Sequence, residues 1–226
     1  MKTLIVIPAF NEAGNLAQLL PKLRQAVTAD ILVVDDFSTD DTFQVVRNYG
    51  LACLRLSIQL GAWGATQTGI RYAKRHGYDY VLTMDADGQH LPEEISRILR
   101  AISDQHGDVI IGTCPHRVSR LKKIAWRFFK LISRIRIEDL TSGFRVYNQQ
   151  AIKVLADKTA SLLDYQDVGV LLLLLRSDLK IKEIPVKMAL RQDGKSRVFS
   201  SWVVVFKYML QTTTLCIANI GAKKSQ

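Results

Sequence analysis

Two aspartates and a glutamine lie close together after a short apolar run, in an arrangement that could hold a metal ion. Asp85, Asp87 and Gln89 follow segment 80–84, which has the composition of a buried strand. Side chains two residues apart on extended backbone point the same way, so these oxygen-bearing groups could converge on one divalent cation. The alternative is an ordinary turn, because Asp and Gly also end strands. A hard cation beside a diphosphate is the functional interpretation of this spacing.

Two earlier apolar segments also end in polar side chains. Segment 31–34 runs into Asp35 and Asp36, and segment 4–7 runs into Pro8, Phe10 and Glu12. The carboxyl ends of parallel strands meet at one edge of a sheet, where α/β proteins bind their ligands. Three strands that deliver polar groups to one edge therefore predict a nucleotide site.

Five motifs begin at Val6, Val33, Met84, Asp139 and Arg191 and read VIPAFNE, VVDDFSTD, MDADGQH, DLTSGFR and RQDGKSR. In this order they resemble the family 2 glycosyltransferases, and within them the dolichol-phosphate mannose synthase-like branch that acts on polyprenyl phosphates. The resemblance covers roughly residues 3 to 200, so the joint signal is more specific than any single motif. It implies a glycosyltransferase A fold, which is Rossmann-like.

The resemblance also implies roles for the matching residues. We expect the donor nucleotide at Pro8, Phe10, Glu12, Val34, Asp36 and Asp85. We expect Mg²⁺ or Mn²⁺ at Asp85, Asp87 and Gln89. A phosphate acceptor needs guanidinium and hydroxyl donors, and the candidates are Arg117, Ser142, Arg145, Ser196 and Arg197. The expected catalytic residues are Asp87, Asp139 and Arg191.

Some of these residues have simpler explanations. Phe10 stands where the family often has Tyr, and it could be a core aromatic. His90 could be a metal ligand, although a lone neighbouring histidine more often belongs to the turn. The glycines after the third strand could approach the donor or serve helix packing, and they are Gly61, Gly64 and Gly69.

An alternation of strands and helices must hold these side chains in place. The strand candidates are 4–7, 31–35, 52–57, 79–84 and 108–112. Helices are predicted after a cap at Asn11, from Asp40 or Asp41 to near Gly50, and at 65–75, 92–102 and 168–175. This order predicts an α/β fold with a mostly parallel sheet and helices on both faces.

Length and composition favour one catalytic domain. The chain has 226 residues, 48% of them hydrophobic, and no linker-like segment divides it. We expect the catalytic domain over residues 1–200 and a membrane-associated helix with a basic tail over 201–226. Three scattered cysteines and the lack of a signal-like start favour the cytoplasm.

The net charge of +10 comes from two stretches. Between Val109 and Ile137 there are eight basic residues and no acid, and after Asp193 there are five basic residues and no acid. In segment 119–136 apolar residues recur at helical spacing among the basic ones, which predicts an amphipathic helix on an anionic membrane surface. A core-packing helix is the alternative, and nucleic acid is disfavoured because no nucleic-acid-binding signature is present. Segment 198–220 either lies on the membrane or spans it at a tilt.

Together these features predict an inverting, metal-dependent transfer of a sugar from a UDP or GDP sugar to a polyprenyl phosphate. The enzyme would be attached peripherally to the inner face of the membrane, which is compatible with a membrane-protein partner. One alternative is a saccharide or glycolipid hydroxyl acceptor, for which Asp139 would be the general base. A second is a catalytically silent nucleotide-binding membrane adaptor.

Overall fold

The structure is a computed structural model that describes residues 1–104, 106–114, 137–163 and 167–189. Within these ranges seven strands form one sheet: β1 Thr3–Ala9, β2 Asp30–Asp35, β3 Ala52–Arg55, β4 Tyr80–Thr83, β5 Val109–Thr113, β6 Arg145–Asn148 and β7 Ile181–Pro185. The α-helices of the same ranges are α1 Ala13–Ala26, α2 Thr42–Asn48, α3 Gly61–Arg75, α4 Ile95–Asp104, α5 Gln149–Leu155 and α6 Val168–Arg176. Two short 3₁₀ helices are Pro92–Glu94 and Lys158–Leu162.

The strands have the order β3-β2-β1-β4-β6-β5-β7. β1 pairs in parallel with β2 and β4, β2 with β3, and β5 with β7. Among the described strands β6 alone runs antiparallel, against both β4 and β5. The predicted mostly parallel α/β sheet is therefore confirmed.

Helices cover both faces of the sheet, because alternate strand residues point to opposite sides. Val6 of β1 belongs to the hydrophobic cluster that contains buried residues of α3, α5 and α6. Its neighbours Ile5 and Ile7 belong to the cluster that contains buried residues of α1, α2 and α4. Gly69 lets α3 approach β1 closely, since an added Cβ would come within 2.3 Å of Val6 Cγ1. This position therefore serves helix packing.

Several element predictions need correction. β6, α5 and β7 were not predicted, because these segments are short and the strands carry charged side chains. α3 begins at Gly61, four residues before its predicted start. The predicted helix over 92–102 is a 3₁₀ turn followed by α4. The other predicted strands and helices are present within a few residues of the expected bounds.

Some predictions concern residues outside the described ranges. They include the basic helix over 119–136, segment 198–220, the tail over 201–226, and Arg117, Arg191, Ser196 and Arg197. Within the part of the chain that the structure does describe, no helix combines the length and the apolar character that a membrane crossing requires.

Candidate active site at the carboxyl edge of the sheet

Asn11 joins the loop after β1 to the loop after β2. Its carboxamide oxygen accepts hydrogen bonds from the N–H groups of Thr39 and Asp40, and its own N–H donates to Ser38 Oγ at 2.9 Å. Asn11 has a φ of 54°, a left-handed conformation that Asn tolerates better than most residues. The prediction that Asn11 caps α1 was wrong, because Glu12 occupies the N-cap position. Asn11 instead brings two loops of the site together.

The nucleotide-binding residues predicted after β1 lie at this edge. Pro8 and Phe10 are partly buried, and Glu12 is buried with its N–H donating to Thr42 Oγ1 at 2.8 Å. The Val34 side chain is fully buried in the hydrophobic core and has no surface to offer a ligand. Its predicted nucleotide contact cannot involve that side chain.

Asp36 holds the start of α3. Its two carboxylate oxygens accept hydrogen bonds from the N–H groups of Leu60 at 2.7 Å and Gly61 at 2.9 Å. Burial raises the pKa of Asp36, these two hydrogen bonds lower it, and the nearby charge of Asp35 raises it, with a net upward shift. Asp36 therefore orders the loop before α3, and its predicted contact with the donor nucleotide stays a prediction.

The loop over residues 85–90 begins where β4 ends. Oδ1 of Asp87 accepts a hydrogen bond from the N–H of Gln89 at 3.0 Å, and Oδ2 contacts the Gln89 carboxamide nitrogen. Gly88 between them has a φ of 74°, which glycine adopts without strain. The structure thus brings Asp87 and Gln89 together. The Asp85 side chain is 47% exposed, so its carboxylate is accessible to a ligand.

Asp85 also lies against a second loop, formed by residues 137–144. A Cβ added to Gly143 would come within 2.7 Å of Asp85 Oδ1, so the carboxylate occupies the space that a side chain would fill. Thr83 Oγ1 donates to the Gly143 carbonyl at 2.8 Å and fixes the same point from β4. The absence of a side chain at Gly143 therefore lets the two loops meet.

Asp139 and Ser142 give the 137–144 loop its shape. Oδ1 of Asp139 accepts the N–H groups of Thr141 and Ser142, both at 3.0 Å, in the manner of an Asx turn. The Ser142 hydroxyl donates to the Gly112 carbonyl at 2.6 Å and so holds the loop on β5. In this structure both predicted site residues therefore organise the loop.

Arg145 supports the same loop from the interior of the protein. It is fully buried, and its guanidinium donates to the carbonyls of Ser142 at 2.7 Å and Leu140 at 3.0 Å. Within the described residues its Nη1 atom has no hydrogen-bond partner. The side chain has no exposed surface in this structure, so its predicted contact with an acceptor phosphate stays a prediction. The buried positive charge remains directly behind the loop.

Sequence reasoning missed Glu183 of β7. Its carboxylate accepts the N–H groups of Glu138 and Asp139 at 2.9 Å, which anchors the start of the 137–144 loop. Glu183 belongs to no motif, and the residues it holds are more than forty positions earlier in the chain. Such a partner becomes visible only when the strand order is known.

The donor set at this edge suits a hard cation. Asp85 and Asp87 offer carboxylate oxygens and Gln89 a carboxamide, which Mg²⁺ and Mn²⁺ prefer over sulfur or imidazole. Among the described residues no three His, Cys, Asp or Glu side chains are grouped as a complete metal site would require. The residues therefore fit a cation that completes its coordination with phosphate oxygens and water.

The sequence model of glycosyl transferase family 2 matches residues 4–158. An undecaprenyl-phosphate mannosyltransferase of Micrococcus luteus is 29% identical over 217 residues, which cover 88% of this chain and 88% of that protein. A polyprenol monophosphomannose synthase of Mycolicibacterium smegmatis is 28% identical over 218 residues, which cover 88% of this chain and 82% of that protein.

The fold has a solved counterpart. Glucosyl-3-phosphoglycerate synthase from Mycobacterium tuberculosis, crystallised with Mn²⁺, UDP and phosphoglyceric acid, matches with a TM-score of 0.73 at 15% identity. The match covers 97% of this chain and 78% of that protein. At this identity the likeness shows the fold alone, and it confirms the expected glycosyltransferase A fold.

Proposed function

The chain belongs to glycosyl transferase family 2, and we propose that it transfers a sugar from a nucleotide-diphosphate donor to a polyprenyl phosphate. The observation that carries the proposal is the meeting of the 85–90 loop and the 137–144 loop at Asp85 and Gly143. A transferase must bring a donor site and an acceptor site within bonding distance, and these loops touch at one edge of the sheet. The relatives named for mannosyl transfer to undecaprenyl phosphate and polyprenol support the acceptor class.

The donor would bind across the loops after β1, β2 and β4. Phe10, Glu12 and Asp36 would face the nucleoside, and Asp85, Asp87 and Gln89 would hold the cation. A bound Mg²⁺ or Mn²⁺ would neutralise the charge that develops on the nucleoside diphosphate as the sugar bond breaks. The solved neighbour with Mn²⁺ and UDP supports both the cation and the nucleotide class.

The acceptor would approach along the 137–144 loop. A phosphate monoester is ionised near neutral pH, so its oxygen can attack the anomeric carbon without a strong general base. Attack opposite the leaving diphosphate would invert the configuration at that carbon. Oδ1 of Asp139 accepts hydrogen bonds from three atoms of the loop, which supports a positioning role for this carboxylate.

Positive charge would hold the acceptor phosphate against the donor diphosphate. The buried Arg145 lies directly behind the 137–144 loop and keeps it in shape. We assign direct contact with the acceptor phosphate to Arg117, Arg191, Ser196 and Arg197. These residues lie outside the described ranges, so their contacts stay predictions. The basic stretch between Val109 and Ile137 would keep the enzyme at the inner membrane surface, where a lipid acceptor is found.

The test is to incubate the full chain with labelled nucleotide sugars, polyprenyl phosphate and Mn²⁺, and to measure lipid-extractable label. We expect label from at least one UDP or GDP sugar, and its loss in Asp87→Asn, which removes one charge but no core volume. Lys153→Gln, on α5 within the described fold, is the control and should label normally. Full activity of Asp87→Asn would reject the metal assignment, and a wild-type protein that yields no lipid-extractable label with any donor would reject the lipid acceptor.

A further inference from the structure

His90 lies at the end of the 85–90 loop and contacts the first residue of that loop through its ring. The imidazole is 4% exposed, and its Nδ1 atom accepts a hydrogen bond from the main-chain N–H of Asp85 at 2.9 Å. A main-chain N–H can only donate, so Nδ1 carries no hydrogen, and in the neutral ring the hydrogen lies on Nε2. Nε2 is 3.7 Å from Oδ2 of the Asp85 carboxylate. One ring therefore faces both the main chain and the side chain of Asp85.

The ring is itself held by two other parts of the fold. It stacks on Phe144, with centroids 4.9 Å apart and an interplanar angle of 16°. The chain after β7 pairs with the same loop, since His90 forms a bridge with Met188 and the Gln89 carbonyl accepts the N–H of Ala189 at 2.9 Å. Packing thus leaves the imidazole little freedom to rotate.

These contacts place Asp85 between two fixed groups. The His90 ring holds its main-chain N–H, and the bare Cα of Gly143 provides the space for its carboxylate. Phe144 is the residue after Gly143, so the ring stack and the carboxylate contact join the same two loops. An ordinary turn histidine would satisfy the turn alone, whereas this ring also connects the turn to the 137–144 loop.

We infer that His90 is a positioning residue for the cation: it does not ligate the metal but fixes Asp85 in the orientation that does. The inference rests on the proposed function, because it assumes a cation at Asp85 and Asp87. Groups that orient metal ligands typically change metal affinity by about 10- to 100-fold when they are replaced. The loss should therefore be seen in cation binding and not only in turnover.

Two substitutions separate the hydrogen bond from the ring stack. His90→Phe keeps an aromatic ring against Phe144 but cannot accept the Asp85 N–H. His90→Asn lacks the ring but has an oxygen at the same number of bonds from Cα as Nδ1. His90→Gln has the same carboxamide one bond further out, so it provides the comparison with His90→Asn if the Phe variant does not fold.

The measurement is Mn²⁺ titration of the full-length variants, followed by electron paramagnetic resonance with saturating UDP and then with GDP. Melting temperatures without metal report the fold. We expect His90→Phe and His90→Gln to bind Mn²⁺ at least about 10-fold more weakly than wild type, and His90→Asn to recover most of the affinity.

The outcomes are distinguishable. Equal Mn²⁺ affinity in wild type and all three variants would overturn the positioning role while leaving the proposed cation site in place. Variants that lose only melting temperature would make His90 a packing residue and would overturn the inference equally. A wild-type protein that binds no Mn²⁺ with either nucleotide would overturn the cation site of the proposed function, and the inference with it.

Discussion

Gly143 is a residue at which the two loops of the candidate site come into close contact. Its importance lies in what it lacks, because a Cβ at this position would lie 2.7 Å from Oδ1 of Asp85. The His90 ring also contacts Asp85, because Nδ1 accepts its main-chain N–H and Nε2 lies 3.7 Å from Oδ2 of its carboxylate. At this scale the candidate site depends on the contacts of Asp85 with Gly143 and His90, two residues that are not expected to bind a ligand themselves.

Gly143→Ala should weaken cation binding with little effect on stability. The added Cβ would lie 2.7 Å from Asp85 Oδ1, and the end of a rotatable side chain can move aside without unfolding the protein. We expect Mn²⁺ affinity to fall by about 10-fold, in the range seen when metal ligands are disoriented. Gly14→Ala in α1, where a Cβ would meet nothing within 4 Å, is the matched control. Unchanged Mn²⁺ binding in Gly143→Ala would contradict the expected displacement of Asp85.

Asp139 and Arg191 distinguish the two acceptor chemistries. Asp139→Asn keeps an oxygen that can accept the N–H groups of Thr141 and Ser142, so the loop should retain its shape. With a phosphate acceptor we expect Arg191→Ala to be the more severe change in kcat, since the phosphate charge must be held near a diphosphate. With a hydroxyl acceptor the order reverses, because loss of a general base typically costs about 10²- to 10⁴-fold. A collapse confined to Asp139→Asn would favour the hydroxyl acceptor.

At the scale of secondary structure elements, the start of α3 depends on a carboxylate from the loop after β2. Asp36 follows β2, and the N–H groups it accepts belong to Leu60 and Gly61 at the beginning of the helix. Gly61 has a φ of 80°, which suits glycine and allows the chain to turn into the helix at that point. This contact explains why α3 begins earlier than its apolar spacing predicts.

The raised pKa of Asp36 predicts a definite pH dependence of stability. Burial is the largest cause of the shift above the ordinary value of 3.8. The folded protein therefore binds this proton more tightly than the unfolded chain does, so the contribution of Asp36 is complete below pH 3.8 and is lost as the pH rises through the raised pKa. We expect the unfolding free energy of wild type to fall relative to that of Asp36→Asn over this range. Urea denaturation of both proteins at several pH values measures the difference, and parallel curves would contradict it.

At the scale of the whole molecule, polar loops lie at one edge of the sheet, and the C-terminal ends of α1, α2 and α3 lie at the other. The strands that carry the site are parallel, so their carboxyl ends coincide, while α1 and α3 return the chain to the opposite edge. Exposed basic residues in the last turns of α2 and α3 therefore lie away from the site. This separation allows a test of whether the basic residues of segment 119–136 bind an anionic membrane surface.

Replacing four basic residues of the 119–136 segment should reduce binding to anionic vesicles. The variant changes Lys122, Lys123, Arg127 and Lys130 to Gln, and each basic residue near such a surface contributes on the order of 1 kcal/mol. The control removes the same charge from the last turns of α1, α2 and α3 by changing Arg24, Arg47, Lys74 and Arg75 to Gln. Sedimentation with phosphatidylserine vesicles at low salt measures both, and an equal loss in the two variants would indicate attraction by net charge alone.

The sequence by itself determined the fold class and pointed to the candidate residues of the site. Segments 4–7, 31–35 and 79–84 could be recognised as strands because buried parallel strands are continuous apolar runs, and the acids after them mark the edge where ligands bind. The glycosyltransferase A fold and family 2 followed from five motifs in a fixed order. These features are local, so they can be read from neighbouring residues.

Only the tertiary structure decided how those residues are used. Four features join segments that are distant in sequence or depend on such joining. They are the antiparallel pairing of β6, the hydrogen bond of Glu183 to Asp139, the burial of Arg145 and the contact of Asp85 with Gly143. Their partners depend on strand order and register, and no local pattern encodes these. The physical reason is that a carboxylate or guanidinium can bind a ligand or support a loop with the same atoms. Burial and partner geometry decide between these roles.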